Sequence, residues 1–469
     1  PSMETQTAPK SPAEWSQSRD NPYLQDNLRP VTDEIEVKDL KIEGDLPDSL
    51  SGVFLRNGPN PQFEPPGHYH SFDGDGMVHG VFLRGGKASY KNRWVVSDGL
   101  RYERAQGHAV FSGFGEFKLP PPKLMAKYGV GKALGNISVV RQGGRFLALY
   151  EGSRPVELSP DLETIGEFDF ERRLQGPFSA HCHTDPETGE LFSFGYSPMK
   201  PFLRYLVVNR DCALVRCEPI PTDYPVMIHD FMITEHHVLF HHAPAVLDMQ
   251  RAFAGGDVLQ WQPERGTRIG VMPRHGNVDE MRWIDAPNCY VFHFINAYER
   301  GDEIILDGLR AAGVEKNVSS PDGTGFPPKL TRFTIDLRGD GSVAEEQLLH
   351  YTGEFPQCHP GHKGRPYRYA YMMAAADGVE RLKTGVLRYV VRHDLQTGET
   401  TRYHLGPRRS GSEFAFVPDP EGTDEGHGWL LGYVYDPDDD SSQMWVMRAD
   451  RLVEGPVARI HLPRRVPEG

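Results

Sequence analysis

Three histidines stand inside apolar or aromatic, strand-like sequence: His181 in SAHCHTDPETGELFSFGY, His229 in YPVMIHDFMITEHHVLF and His293 in NCYVFHFINAYE. A buried imidazole needs a hydrogen-bond partner or a ligand, because an unmatched polar group in the interior costs folding free energy. A lone case is most simply a core histidine bonded to a carbonyl. Three on separate strands fit a shared ion better, and imidazole suits iron, zinc, copper and nickel. A metal-bound imidazole also needs its second nitrogen held, usually by a carboxylate or carbonyl. Three acids have suitable surroundings: Glu151 after RFLALY, Glu354 in TGEFPQ and Glu413 in GSEFAFVP, each beside hydrophobic residues rather than in a charge run. His183, His236, His237, His241, His242, His359 and His362 are weaker candidates. In a strand, adjacent histidines point to opposite faces, so one of each pair at most should look inward. The sequence Asp73-Gly74-Asp75-Gly76 suggests a calcium loop, but Arg84 stands where an EF-hand needs its last acid, which excludes that motif.

Residues this far apart in sequence must be gathered by the fold. Residues 77–97 and 137–150 read as hairpins turning at Arg84-Gly85-Gly86-Lys87 and Gln142-Gly143-Gly144-Arg145. Similar punctuation recurs along the chain, which predicts an all-β protein. Helical periodicity is confined to 121–134 and 245–254. So many strands cannot form one open sheet, and closure into four-stranded blades is the usual solution; seven blades would average about 67 residues of the 469. Side chains from different blades could then converge on one ion near the axis. The fold class expected is a single seven-bladed β-propeller over residues 21–469, with short helices and loops capping the axial site. Residues 1–20, rich in Ser, Pro, Gln and Thr, are expected to be a disordered tail.

Composition narrows the function. The formal charge of −14 and pI near 5.8 argue against nucleic acid as a partner. No apolar run is long enough to span a bilayer and no signal-peptide core is present, so the expected compartment is the cytoplasm. Five cysteines with no CxxC pair argue against a disulfide framework or a Cys-based zinc site. The segment 117–128, FKLPPPKLMAKY, mixes apolar residues with three lysines and is a candidate for peripheral membrane contact.

Taken in order, FLRNGPNP, HSFDGDGMVHG, SAHCHTDPETGELFSFGY, MIHDF, VFHFINAYE, GEFPQ, GRPYRYAY and LPRRVP resemble the motifs of the carotenoid cleavage oxygenase family, from about residue 27 onward. The resemblance implies a seven-bladed propeller carrying non-haem Fe(II), with O2 as co-substrate, that cleaves a conjugated C=C bond of an apolar polyene to carbonyl products. It implies His181, His229 and His293 as iron ligands, with Glu151, Glu354 and Glu413 orienting the imidazoles. The family's fourth histidine follows a segment like LPxRVPxGFHG and is expected just after Gly469. Two positions depart from common family patterns. Ile137 replaces a threonine near the open iron position, and Tyr150 precedes the first glutamate where stilbene-cleaving relatives carry lysine. The leading expectation is therefore a carotenoid or apocarotenoid dioxygenase. A stilbene-cleaving dioxygenase and a retinoid isomerohydrolase are same-fold alternatives; a metal-depleted carotenoid-binding propeller without catalysis is the alternative of another class.

Overall fold

In the computed structural model, which describes residues 10–315, 325–379 and 385–468, the Gly-Gly turns close hairpins as expected. Gly76–Arg84 pairs with Lys87–Trp94, and Ser138–Gln142 with Arg145–Leu149. The positive φ of Gly85 and Gly86 (56° and 70°) is what lets this turn be so short. Successive hairpins build seven antiparallel sheets of four or five strands, the blades of a β-propeller.

Blade 1 starts on Gly52–Pro59, blade 2 on Ser138–Gln142, blade 3 on His183–Thr184 and blade 4 on Met232–Ile233. Blades 5, 6 and 7 start on Tyr290–Arg300, Gly353–Gln357 and Ser410–Pro418. These first strands are the inner ones: those of blades 4 and 5, 5 and 6, and 6 and 7 touch one another around the axis. The ring is closed by the N-terminal segment. Glu36–Val37 adds an outer strand to blade 1, and Ile42–Gly44 adds one to blade 7 by pairing with Pro456–His461.

Strands covered by neighbouring blades on both faces lose the apolar/polar alternation of a half-exposed sheet. His241 and His242 are thus both buried, at 5% and 1% exposure, which corrects the expectation that only one of an adjacent pair turns inward. Between blades 3 and 4, Phe231 packs on Phe194 and Phe240 with ring centroids 4.9 and 5.6 Å apart. Burying such a side chain contributes roughly 1.5–3 kcal/mol, and here it anchors the backbone two residues beyond His229.

Both expected helical segments are shorter than their periodicity suggests. Within 121–134 the helix spans Pro122–Tyr128 and stops before Gly129, whose φ is +80°. Within 245–254, Ala245–Leu247 is a strand paired with Leu259–Trp261, and only Met249–Phe253 is helical, capped by the Asp248 side chain. A third helix, Asp98–Gln106, was not anticipated; Ser97 caps it and Gly107 ends it in the left-handed region. The segment before helix Pro122–Tyr128 meets helix Met249–Phe253 where Phe117 packs on Phe253. Part of the expected tail packs on the propeller. Trp15 is buried against Tyr23, Leu24 and Tyr69, and Gln17 bonds to Tyr69 N and Gly67 O, so residues 10–20 are fastened to the propeller. Residues 1–9 lie outside the described set. No described helix is long and apolar enough to cross a membrane, and all five cysteines are free.

Candidate metal centre

The six residues singled out in the sequence fall on six consecutive blades near their axial ends. Glu151 follows the second strand of blade 2, His181 and His229 lead into blades 3 and 4, and His293, Glu354 and Glu413 lie on the first strands of blades 5, 6 and 7. Strand irregularities coincide with the last three: the ladder shifts register at Val291/Phe294, Glu354/Gln357 and Gly411/Phe414. A bulge adds an unpaired residue and re-aims its side chain. In blade 6 this places Phe355 at φ 59°, uncommon for a bulky residue, and turns its N–H back onto Glu354 Oε2 at 3.0 Å.

The three imidazoles converge. One ring nitrogen from each of His181, His229 and His293 lies within 4.8 Å of the others, and His181 Nε2 faces His229 Nε2 at 2.9 Å. His229 Nδ1 bonds to Glu151 Oε2 at 2.8 Å, and His293 Nδ1 to Glu354 Oε2 at 2.6 Å. Donation from Nδ1 to a carboxylate leaves the Nε2 of a neutral imidazole as a bare lone pair. A lone pair on His229 Nε2 facing a second ring nitrogen at contact distance suits a shared cation. Glu354 Oε1 is buried with no hydrogen-bond partner among the described residues. Together with an all-imidazole donor set, these features fit a divalent transition metal such as Fe(II).

The electrostatics follow from burial. Burial, then the neighbouring His229 and His293 rings, holds His181 well below the ordinary imidazole pKa. Burial also pulls on His293, but the Glu354 carboxylate beside it prevails and raises it to about 9. Tyr150, Tyr196 and Tyr290 are raised by burial, with Glu151 adding to each, so all three phenols are neutral.

Glu413 differs from its two counterparts. It is exposed, accepts from Gln357 Nε2 at 2.5 Å, and has no bond to an imidazole among the described residues. The weaker histidine candidates go elsewhere. His183 bonds to Asp230 and the Phe231 carbonyl, His236 and His237 to Glu299, and His241 lies 3.6 Å from Cys289 Sγ. His242 sits against Tyr224 and Trp283, and His359 and His362 frame a turn ending the first strand of blade 6. The DGDG acids hold the cap: Asp73 accepts from Phe114 and Gly115 N, and Asp75 pairs with buried Lys132.

Aromatic walls surround the centre. Phe292 and Phe355 lie 5.2 and 5.9 Å from the His229 and His293 rings, and Phe292 joins a buried cluster with Tyr290, Leu247, Trp261 and Phe114 of the cap. Ile137 packs in the cluster containing Phe178, Ala180 and Cys182, beside the His181 segment. The Tyr150 ring folds over Gly152, where a Cβ would lie 2.8 Å from a ring carbon. Asp230 was missed by sequence reasoning. It directly follows a ligand candidate, and that adjacency was the available signal.

Comparison with known proteins shows the family of the chain. The family model described as Retinal pigment epithelial membrane protein (RPE65) matches residues 28–469. The chain is 35% identical over 485 residues to the carotenoid 9,10(9',10')-cleavage dioxygenase 1 of Pisum sativum, covering 95% of this chain and 88% of that one. Among solved structures it is similar to the lignostilbene dioxygenase of Pseudomonas brassicacearum, with TM-score 0.87, 28% identity and coverage of 96% and 97%. It is also similar to the cobalt-substituted ACO of Synechocystis, with TM-score 0.83, 29% identity and coverage of 93% and 95%. The chain therefore belongs to the RPE65 family, which comprises carotenoid, apocarotenoid and stilbene-type cleavage oxygenases.

Proposed function

We propose that this protein is an Fe(II)-dependent dioxygenase that cleaves a conjugated double bond of a carotenoid or apocarotenoid to two carbonyl products, with O2 as co-substrate. The observation that carries the reading is the convergence of His181, His229 and His293 nitrogens within 4.8 Å, with two of the rings oriented by buried carboxylates. These imidazoles would hold the iron, and Glu151 and Glu354 would fix their orientation. When bound, Fe(II) supplies the oxygen chemistry. The protein's own residues bind, orient and exclude water: Phe292, Phe355 and Ile137 make the surroundings apolar, and the neutral phenols of Tyr150 and Tyr196 bring no charge beside a polyene.

Delivery of so apolar a substrate suits a membrane surface. Helix Pro122–Tyr128 has no buried residue, and Leu119, Met125, Val130 and Phe253 present 38–57% of their surface next to Lys118, Lys123 and Lys127. A cytoplasmic protein docking peripherally through this patch would collect its substrate from the bilayer.

Although Tyr150 stands where stilbene-cleaving relatives carry lysine, the stilbene reading keeps one supporting observation besides the likeness to a lignostilbene dioxygenase. The half-buried, neutral Tyr150 phenol beside Glu151 could bond a phenolic substrate. Both readings meet the same test. Iron-loaded protein is given a β-apocarotenal or a 4-hydroxystilbene under labelled O2, with and without a chelator. Label in the aldehyde products and loss of turnover on chelation are expected, with the apocarotenal preferred. Turnover that survives chelation, or products without label under conditions that limit exchange, would overturn the dioxygenase reading. Preference for the stilbene, lost in Tyr150→Phe, would transfer the assignment.

A further inference from the structure

Asp230 is a buried carboxylate, 3% exposed, that lies outside the set of imidazole-orienting acids. A carboxylate removed from water must be matched by donors. The donors here have a pattern. Oδ1 accepts from Phe231 N at 2.8 Å and from His183 Nε2 at 3.0 Å, and Oδ2 accepts from Phe294 N at 2.8 Å. Phe231 is two residues after His229, His183 is two residues after His181, and Phe294 directly follows His293. Each of the three segments that carry a converging imidazole therefore gives one donor to the same carboxylate. The imidazole arm is fixed in turn, because His183 Nε2 also reaches the Phe231 carbonyl at 2.7 Å, which sets the N–H on that nitrogen.

We propose that Asp230 is the positioning residue of the metal centre, a buried clamp that ties the ligand-bearing ends of blades 3, 4 and 5 together and holds their nitrogens at the separation a metal requires. Glu151 and Glu354 set how two rings are turned; Asp230 sets where the backbones that carry all three rings stand. Precise positioning matters because displaced ligands weaken a metal site, and changes to groups behind the ligands typically cost 10- to 100-fold in affinity. The inference rests on the metal reading above.

The variant Asp230→Asn keeps size and shape, but its NH2 group must face at least one N–H donor, so one arm of the clamp opens. Cobalt(II) is the probe, titrated into metal-free full-length protein and followed by its visible absorption. The expected result is at least tenfold weaker Co(II) binding in Asp230→Asn with an altered absorption band. His183→Gln, which keeps the carboxylate and releases the blade 3 arm, should weaken binding in the same direction by a smaller factor. If Asp230→Asn does not fold, His183→Gln decides by the same readout. Folded variants that are less heat-stable but bind Co(II) with unchanged affinity and spectrum would show a merely structural role and overturn the proposal. Wild-type protein that takes up no Co(II) would instead remove the metal reading itself, an outcome visible before any variant is made.

Discussion

Among the described residues, two places in this propeller group more than one histidine with glutamate, and they do opposite things. At the axis, His229 and His293 each have a separate carboxylate, Glu151 and Glu354, placed behind the ring on the side away from the other imidazoles. On blade 4's opposite flank, His236 and His237 share a single carboxylate: Glu299 takes both Nδ1 atoms, at 2.7 and 2.8 Å, along with the Thr234 hydroxyl at 2.5 Å and His236 N at 3.0 Å. One acid behind each ring drives the free nitrogens together; one acid between two rings draws the imidazoles onto itself and uses up its own lone pairs. The lesson is that histidine number alone does not prepare a site for a metal; divergent carboxylates matter, because they decide which way each remaining lone pair points.

This contrast can be broken most severely at one of the proposed ligands. His229→Ala removes the nitrogen 2.9 Å from His181 Nε2, and should lower iron or cobalt uptake by more than about 100-fold on metal analysis of purified protein. Retention of stoichiometric metal would dismantle the site. A smaller effect is expected one step back. Glu354→Gln can still accept from His293 Nδ1 through its amide oxygen but loses the charge, so metal affinity should fall by roughly 10- to 100-fold while the fold survives. Equal affinity in variant and wild type would mean that the carboxylate charge does not tune the ring.

The mildest change tests the other constellation. Glu299→Gln should leave metal uptake unaltered and cost about 1–2 kcal/mol of stability at neutral pH by denaturant titration. Burial acts to raise the Glu299 pKa, but its bonds to His237, His236 and Thr234 outweigh it and hold the folded value well below the usual range. A carboxylate depressed in the folded state stabilises fully above its unfolded pKa, so the gap between wild type and Glu299→Gln should narrow as pH falls below about 4. His236, raised by its bond to Glu299, works in the opposite sense: its contribution is lost as pH rises beyond the ordinary imidazole range. A gap that does not change with pH would contradict the shared-carboxylate description.

Much of the site was legible before any coordinates. Three imidazoles in apolar sequence and acids flanked by hydrophobic residues are unusual enough, chemically, to announce a partner. The Gly-Gly turns likewise gave the hairpins, since only residues tolerating positive φ close them so tightly. What failed to show was whatever depended on neighbouring blades. Glu413 has the same local surroundings as Glu354, an aromatic residue after it and a register shift in its strand, yet it is exposed because no described imidazole stands in front of it. His241 and His242 cannot be told apart by alternation when both faces of their strand are covered. The segment 245–254 has helical periodicity, but its first residues are captured by pairing with Leu259–Trp261.

The amino-acid sequence by itself determined the local chemistry: which residues can ligate, which acids can orient them, where the chain turns, and that strands dominate. These properties reside in single side chains and short backbone stretches, so neighbours in sequence suffice to reveal them. Tertiary structure alone decided that nitrogens from residues 181, 229 and 293 meet within 4.8 Å, that Glu151 and Glu354 reach them while Glu413 does not, and that Asp230 binds all three ligand segments at once. Those facts depend on the closure of seven blades around one axis and on bulges that re-aim individual side chains by a single residue, and neither is encoded in any window shorter than the whole ring.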